Sequence, residues 1–318
     1  VNNLKSRFSS VAWSFVYLLL LLSLPTTLNV VTIFFITVPA LILYTTLSKA
    51  KFISFVIGVW IIAGVVSTLI YNHLHIGLFV ILQAIFFIIP ALVMGHLYKT
   101  RVSAIKVILG GTVSILLASL GILVIGASFF DFNLATNIQE IISIAMANVK
   151  NVADSPIAGS ALLAEDLPEQ LSAYAMHMLP FTLIICSFLI AAVAHTVSRP
   201  TLSSMGVIVT KLPKLREWKL PRSLVFYYLI SVIVTIVIGP EHNLGFVSMI
   251  FDNLIPLLRF LFILQAASFI FFLAHLKRWD PALAVVLIVI MLFVPLGWLI
   301  GVLDVALPLR ESITRSRR

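Results

Sequence analysis

The chain has 318 residues, 61% hydrophobic and 10% charged, with a net charge of +9 and a single cysteine. That is far more apolar surface than one soluble core of this length needs, which excludes a water-soluble domain and implies an integral membrane protein. The lone Cys186, set in an apolar run, excludes an internal disulfide and a thiolate metal cluster. The basic residues cluster just beyond apolar stretches, where chain orientation and anionic lipid account for them and nucleic acid does not.

A membrane-spanning helix takes about 20 mainly apolar residues, and nine segments meet or approach that: 8–24, 28–47, 52–71, 77–97, 106–130, 172–198, 223–239, 246–276 and 281–308. The first follows Lys5 and Arg7 and lacks a small-residue cleavage site after its leucine run, so it reads as a retained helix rather than a signal peptide. Ser6, Ser10 and Ser14 recur every four residues there, as Gly110, Ser114 and Ala118 do in the fifth segment. Such stripes let backbones approach closely, either within the bundle or against a separate membrane subunit. Residues 131–171 form an acidic insertion with helical spacing at Ile138, Ile141, Ile142 and Ile144, then a Gly/Ser/Pro-containing stretch at 154–160. It predicts an interfacial helix in a loop long enough to cap a site. The connector 199–222 is basic. Within it Pro213 and Pro221 bracket a short amphipathic piece whose Arg216 and Trp218 suit membrane lipid or a docked protein. The ninth segment has two readings. It either crosses once or re-enters at Pro295, Leu296 and Gly297, where each half of about 13 residues reaches only about 20 Å.

Lys49, Lys51, Lys99, Arg101, Lys106, Arg199, Lys211, Lys214, Arg216, Lys219, Arg222, Lys277 and Arg278 fall in one alternating set of loops together with Lys5 and Arg7. The other set holds Lys150 and the acids Asp131, Glu140, Asp154, Glu165, Asp166, Glu169, Glu241 and Asp252. The rule that Lys/Arg-rich loops stay inside makes the first set, and the N-terminus, cytoplasmic. Under that topology the insertion 131–171 is extracytoplasmic.

Ionisable groups inside spans are costly and usually face a bundle interior or cavity. Gln83, His177, Asp252, Asn253 and Arg259 all fall in the outer half of the bundle, with His73 and His75 in an outer turn. Their shared depth predicts a pocket open to the outside. Asp252 and Arg259, seven residues apart, project from roughly one helix face, and Pro256 between them is expected to break the helix and free carbonyls. Arg259 then offers a guanidinium fork for a carboxylate or phosphate. The plainer alternative is that Asp252 ends an interfacial segment and Arg259 snorkels outward. His96, His195 and His275 each fall in the last turn of an inward-running helix, where the dipole favours a cation. No carboxylate partner lies at local spacing from them, so no metal site is expected.

Enzyme motifs such as His-Glu-x-x-His, a phosphate loop and a Gly-x-Ser-x-Gly elbow are absent. Gly301 and Asp304 near the end lack the second intramembrane aspartate that a carboxylate dyad needs. Neither catalysis nor a cofactor is expected.

Three stretches together resemble the YybS-like family of bacterial membrane proteins: the connector 212–221, the turn Gln265, Ala266, Ala267, Ser268, and the ending Gly301, Asp304, Leu309, Arg310. The resemblance runs over essentially the whole chain, with one departure at Ala266, where the family tends to have glycine. It implies a bacterial cytoplasmic membrane location. The first five or six helices are remotely similar to the substrate-capture (S) components of energy-coupling-factor transporters, which bind vitamins or metal ions from outside and dock a coupling subunit. In those proteins an alanine pair spaced by four on the first helix makes the docking face; Ser10 and Ser14 have that spacing here.

The expectation is therefore an all-α, polytopic transmembrane helix bundle of about eight to nine spans with an S-component-like core, residues 1–318 forming a single membrane domain. Its expected role is binding or transport of a small-molecule ligand at Gln83, His177, Asp252, Asn253 and Arg259. Ser10, Ser14, Arg216 and Trp218 would engage a membrane coupling subunit or regulatory protein. The rival readings are a non-transporting scaffold or regulator and, after it, an enzyme of lipid-linked substrates.

Overall fold

A computed structural model describes residues 2–129, 132–152, 167–238, 245–307 and 309–315, with side chains from Ser10 onward. The Gly/Ser/Pro-containing stretch 154–160, the side chains of Lys5, Ser6, Arg7 and Lys150, and the acids Asp131, Glu165, Asp166 and Glu241 lie outside the described residues.

Every one of the nine apolar segments is helical. They correspond to α1 (Asn2–Ser23), α2 (Asn29–Phe35) with α3 (Thr37–Thr46), α4 (Lys49–Tyr71), α5 (Leu74–Lys99), α6 (Ala104–Phe129), α9 (Leu179–Ser204), α10 (Ser223–Ile238), α11 (Phe246–Lys277), and α12 (Pro281–Phe293) with α13 (Trp298–Ala306). The remaining helices are α7 (Leu134–Val152), α8 (Leu167–His177) and α14 (Leu309–Arg315). Six of these spans are long and apolar enough to cross a membrane: Asn29–Thr46, α4, α5, α6, α9 and α11. The apolar parts of α1 and α10, Ser10–Ser23 and Ser223–Val237, are shorter. The molecule is a multi-pass helical membrane protein.

Local chemistry sets the breaks. Pro39 has no N–H to donate in the first turn of α3, and the helix is interrupted just before it at Ile36. Asn72 and Arg278 adopt the left-handed conformation that ends α4 and α11. Asp280 caps α12 by accepting from the Ala282 N–H at 2.7 Å, with Pro281 as its first residue. Within the insertion, Asn133 Oδ1 accepts from the N–H groups of Ala135 and Thr136 and starts α7, whose Ile141 and Ile144 are exposed. The predicted helix is there.

The chain forms two compact units: Val1–Met176 with Thr182–Leu212, and His177–Phe181 with Pro213–Arg318. In the first unit Tyr17, Leu21, Leu41, Ile42 and Met94 are fully buried. Gly77 permits the approach of α4 to α5, because a Cβ there would overlap the Gly64 carbonyl. The small-residue stripe of α6 is consumed internally, Gly110 meeting Leu97 and Gly111 meeting Met94 and Ala191. His195 is buried and bonded to the Tyr98 hydroxyl at 2.9 Å, more than two turns before α9 ends, so it is not the terminal cation its sequence position suggested.

In the second unit α11 is the axis, 32 residues and about 48 Å long at 1.5 Å per residue. Pro256 sits inside it without breaking it, contrary to expectation. Its missing N–H frees one carbonyl, that of Asp252, rather than opening the helix. α12 runs back along α11, burying Ala284 and Met291 against Ala266, Ile270 and Ala274. α12 and α13 are then bent by 108° at the Val294–Gly297 turn. Trp298 lies beside Tyr228, Gly301 against Phe262, Asp304 against Gln265 and Arg310 against Ser268, so the chain returns toward the Lys277 end of α11. That progression has the geometry of a re-entrant hairpin. Gly301 is required there, since a Cβ would collide with the Phe262 carbonyl oxygen.

Candidate functional site

Three of the predicted site residues come together in the second unit. His177 Nε2 and Asp252 Oδ2 are 3.0 Å apart, with 40% and 34% of their side chains exposed, so the pair is open to its surroundings. Asn253 next to it is buried and saturated: Oδ1 accepts from the Phe181 N–H at 2.9 Å, and Nδ2 donates to the carbonyls of His177 and Met249, each at 2.9 Å. Asn253 thus fastens the segment His177–Phe181, where Pro180 follows the break between α8 and α9, onto α11.

Arg259 follows different chemistry. Asp252 is committed to His177, and Arg259 turns to aromatic partners. Its Nε donates to the Tyr228 hydroxyl at 3.3 Å, and its guanidinium carbon stands 5.2 Å from the Trp298 ring centre and 6.0 Å from that of Tyr228. Trp298 and Tyr228 also touch each other, with ring centres 5.1 Å apart. The Arg259 side chain is exposed, and Nη1 and Nη2 have no partner among the described residues. Arg259 lies about 20 Å along α11 from Phe246 and about 27 Å from Lys277, a depth that falls within helical span rather than at its rim. Gln83 is half-buried on α5 in the other unit.

Ser10 and Ser14 are buried, and the Ser14 hydroxyl donates to the Ser10 carbonyl at 2.9 Å. Val11 and Phe15 beside them are the exposed residues of that helix face. Arg216 and Trp218 belong to the second unit, where their backbone carbonyls accept hydrogen bonds, the Trp218 indole donates to the Pro213 carbonyl at 3.0 Å and Arg216 Nε lies 3.8 Å from Glu217.

Sequence reasoning missed the polar centre of this unit. Asp304 is fully buried and accepts from Arg310 through both oxygens, at 3.0 Å from Nε to Oδ1 and 2.6 Å from Nη2 to Oδ2. Gln265 Nε2 donates to the same carboxylate. Arg310 also donates to the Arg216 carbonyl at 2.8 Å and to Ser268 Oγ at 3.0 Å, while Ser268 donates to the Trp218 carbonyl at 2.9 Å. Gln265 Oε1 accepts from the Leu220 N–H at 3.0 Å. The three stretches that carried the resemblance therefore converge on one closed network, which holds the connector and the re-entrant hairpin on α11. The available signal was two polar residues, Gln265 and Ser268, one turn apart on an apolar helix, with Asp304 followed six residues later by Arg310.

Against known proteins, residues 12–306 match the family described as a predicted membrane protein, DUF2232. The chain is also 25% identical over 225 residues to a Bacillus subtilis (strain 168) protein named "Uncharacterized protein YybS", covering 69% of this chain and 72% of that one. No solved structure matches. With the family model spanning nearly the whole bundle, from α1 to the last residue of α13, the chain belongs to the DUF2232 family of membrane proteins.

Proposed function

We propose that this protein is a small-molecule-binding membrane protein of the transport type, and that its ligand carries an anionic group held by Arg259. The observation that carries the reading is the Arg259 fork. An arginine at span depth is expensive to keep; this one is steadied on one side by Tyr228 and Trp298 and leaves both terminal nitrogens unused. A planar fork of that kind is shaped for a carboxylate or phosphate. Trp298 stands at the tip of a re-entrant hairpin, and non-helical backbone at membrane depth is tolerated where it is buried in protein or lines a cavity. The open His177–Asp252 pair, seven residues away on the same helix, supplies a second polar pole for the other end of the ligand. The role is binding, without catalysis.

The topology that places this pole nearer the outside follows from the Lys/Arg-rich loops, with the N-terminus inside a bacterial cytoplasmic membrane. A coupling subunit or regulatory protein on the opposite side would meet the connector, which the Asp304–Arg310 network keeps rigid. The S-component likeness belongs with this reading, with Val11 and Phe15 rather than Ser10 and Ser14 as the exposed part of the α1 docking face.

The test is to purify the full chain from its native membrane in lipid nanodiscs and identify co-purifying small anions by mass spectrometry. Arg259→Ala should lose at least one acidic species that the wild type retains. Equal retention of every acidic species by both proteins would overturn the reading.

A further inference from the structure

At the Lys277 end of the second unit, the connector and the α11–α12 junction enclose a groove of about 440 Å³. Lys214, Leu215 and Arg216 of the connector line it together with Phe271, Ala274 and His275 of α11 and with Trp279 and Pro281. Among the described residues no carboxylate lines it. Of the acids nearest in sequence, Asp280 caps α12, and Glu217 makes a long, largely exposed ion pair with Arg216 Nε at 3.8 Å. At the C-terminal end of α11 the His275 and Ala274 carbonyls are already satisfied by the N–H groups of Arg278 and Trp279. Beyond the groove, α12 presents Leu283, Val286 and Ile290 as an exposed apolar row at helical spacing.

We propose that this groove is a binding site for one acidic phospholipid, with its phosphate between Lys214 and Arg216 and its acyl chains laid along Phe271 and the exposed row of α12. Both halves of the lining are needed for that choice. A cationic rim alone would suit any phosphate. The apolar wall that runs on into a lipid-facing helix suits an amphiphile, and an indole at the boundary of the two suits the headgroup level. Lys277, whose ammonium lies 5.2 Å from the Trp279 ring centre, adds to the local positive field that favours an acidic headgroup over a zwitterionic one. The site is separate from Arg259 and does not depend on the ligand assigned there.

The experiment follows Trp279 fluorescence, taken as the difference between the wild type and Trp279→Phe, in the full chain reconstituted into vesicles containing phosphatidylglycerol or phosphatidylcholine with brominated acyl chains. Half-maximal quenching should need several-fold less brominated phosphatidylglycerol than phosphatidylcholine. That preference should vanish in the Lys214→Gln/Arg216→Gln variant and survive in Lys214→Arg, which controls for folding. Equal quenching by the two lipids, or a preference untouched by the double substitution, would overturn the proposal. So would its abolition by millimolar inorganic phosphate, which would assign a soluble ligand, and so would shielding of Trp279 from both lipids, which would assign the groove to a protein.

Discussion

Arg310 and Arg259 belong to the same compact unit and are held in opposite ways. Arg310 is 14% exposed and uses its guanidinium on a carboxylate with no exposure at all, a serine hydroxyl and a backbone carbonyl. Arg259 is exposed, makes one hydrogen bond to a tyrosine and rests near two rings. A guanidinium has five donors; where nearly all are matched inside the protein the residue is part of the architecture, and where the terminal pair is free it is available to something else. The difference separates fold from function within one bundle, and it orders the consequences of substitution.

The largest effect belongs to Asp304→Ala. Removing one member of a buried pair leaves the other charge uncompensated and typically costs about 3–5 kcal/mol. Here it would also release the connector and the hairpin together. The purified variant should melt far below the wild type, or fail to fold, in a thermal-shift measurement in detergent. Asp304→Leu combined with Arg310→Met should recover part of that loss, because an apolar pair leaves no orphaned charge. A lone Asp304→Ala variant that melts with the wild type would show that Arg310 takes its carboxylate partner from elsewhere.

Gly301→Ala should come next. One added methyl would meet the Phe262 carbonyl, a backbone atom that cannot swing aside, and overpacking of this kind costs about 1–3 kcal/mol. Melting should fall by several degrees, and the fluorescence of Trp298, three residues before it, should change as α13 is displaced. Asn253→Ala follows. It deletes three hydrogen bonds to backbone groups, two of them to the His177–Phe181 segment and one within α11, and at about 0.6 kcal/mol for a bond in a membrane bundle the loss should be about 1–2 kcal/mol. Hydrogen exchange should then rise at Phe181, whose N–H loses its acceptor.

Much of this was legible from the residues. Apolar length placed the helices of the nine apolar segments because a backbone in lipid has to satisfy itself internally. Asp252, Asn253 and His177 were recognisable as polar groups at a common level, and they do meet. The Asp304 network was not recognisable as such. Its members lie up to 94 residues apart, and two of its acceptors are the backbone carbonyls of Arg216 and Trp218, which carry no side-chain signature. The same reason misdirected the reading of Pro256: a proline in sequence announces a lost hydrogen bond, whereas packing on both sides of α11 decides whether the helix opens. Asp252 and Arg259 share a helix face by arithmetic, yet each is taken by a neighbour from another element, and periodicity alone cannot show the neighbour.

The smallest effect on stability is expected at Arg259, and there the comparison is sharpest. Its side chain is exposed and its partners are one hydroxyl and two ring faces, so Arg259→Ala should shift the melting of the ligand-free protein little, within about 0.5 kcal/mol. Arg259→Lys keeps the charge but replaces the planar fork with a single ammonium, and two parallel bonds to an anion cannot form. If the free nitrogens bind a ligand, both variants should lose the co-purifying acidic molecule while melting like the ligand-stripped wild type. A ligand bound twofold or more tightly by Lys than by Ala would show that charge, not the fork, does the holding. Should Arg259→Ala instead collapse the bundle as Asp304→Ala is expected to, then Tyr228 and Trp298 are structural clamps for the cation, and the two arginines differ in exposure but not in kind.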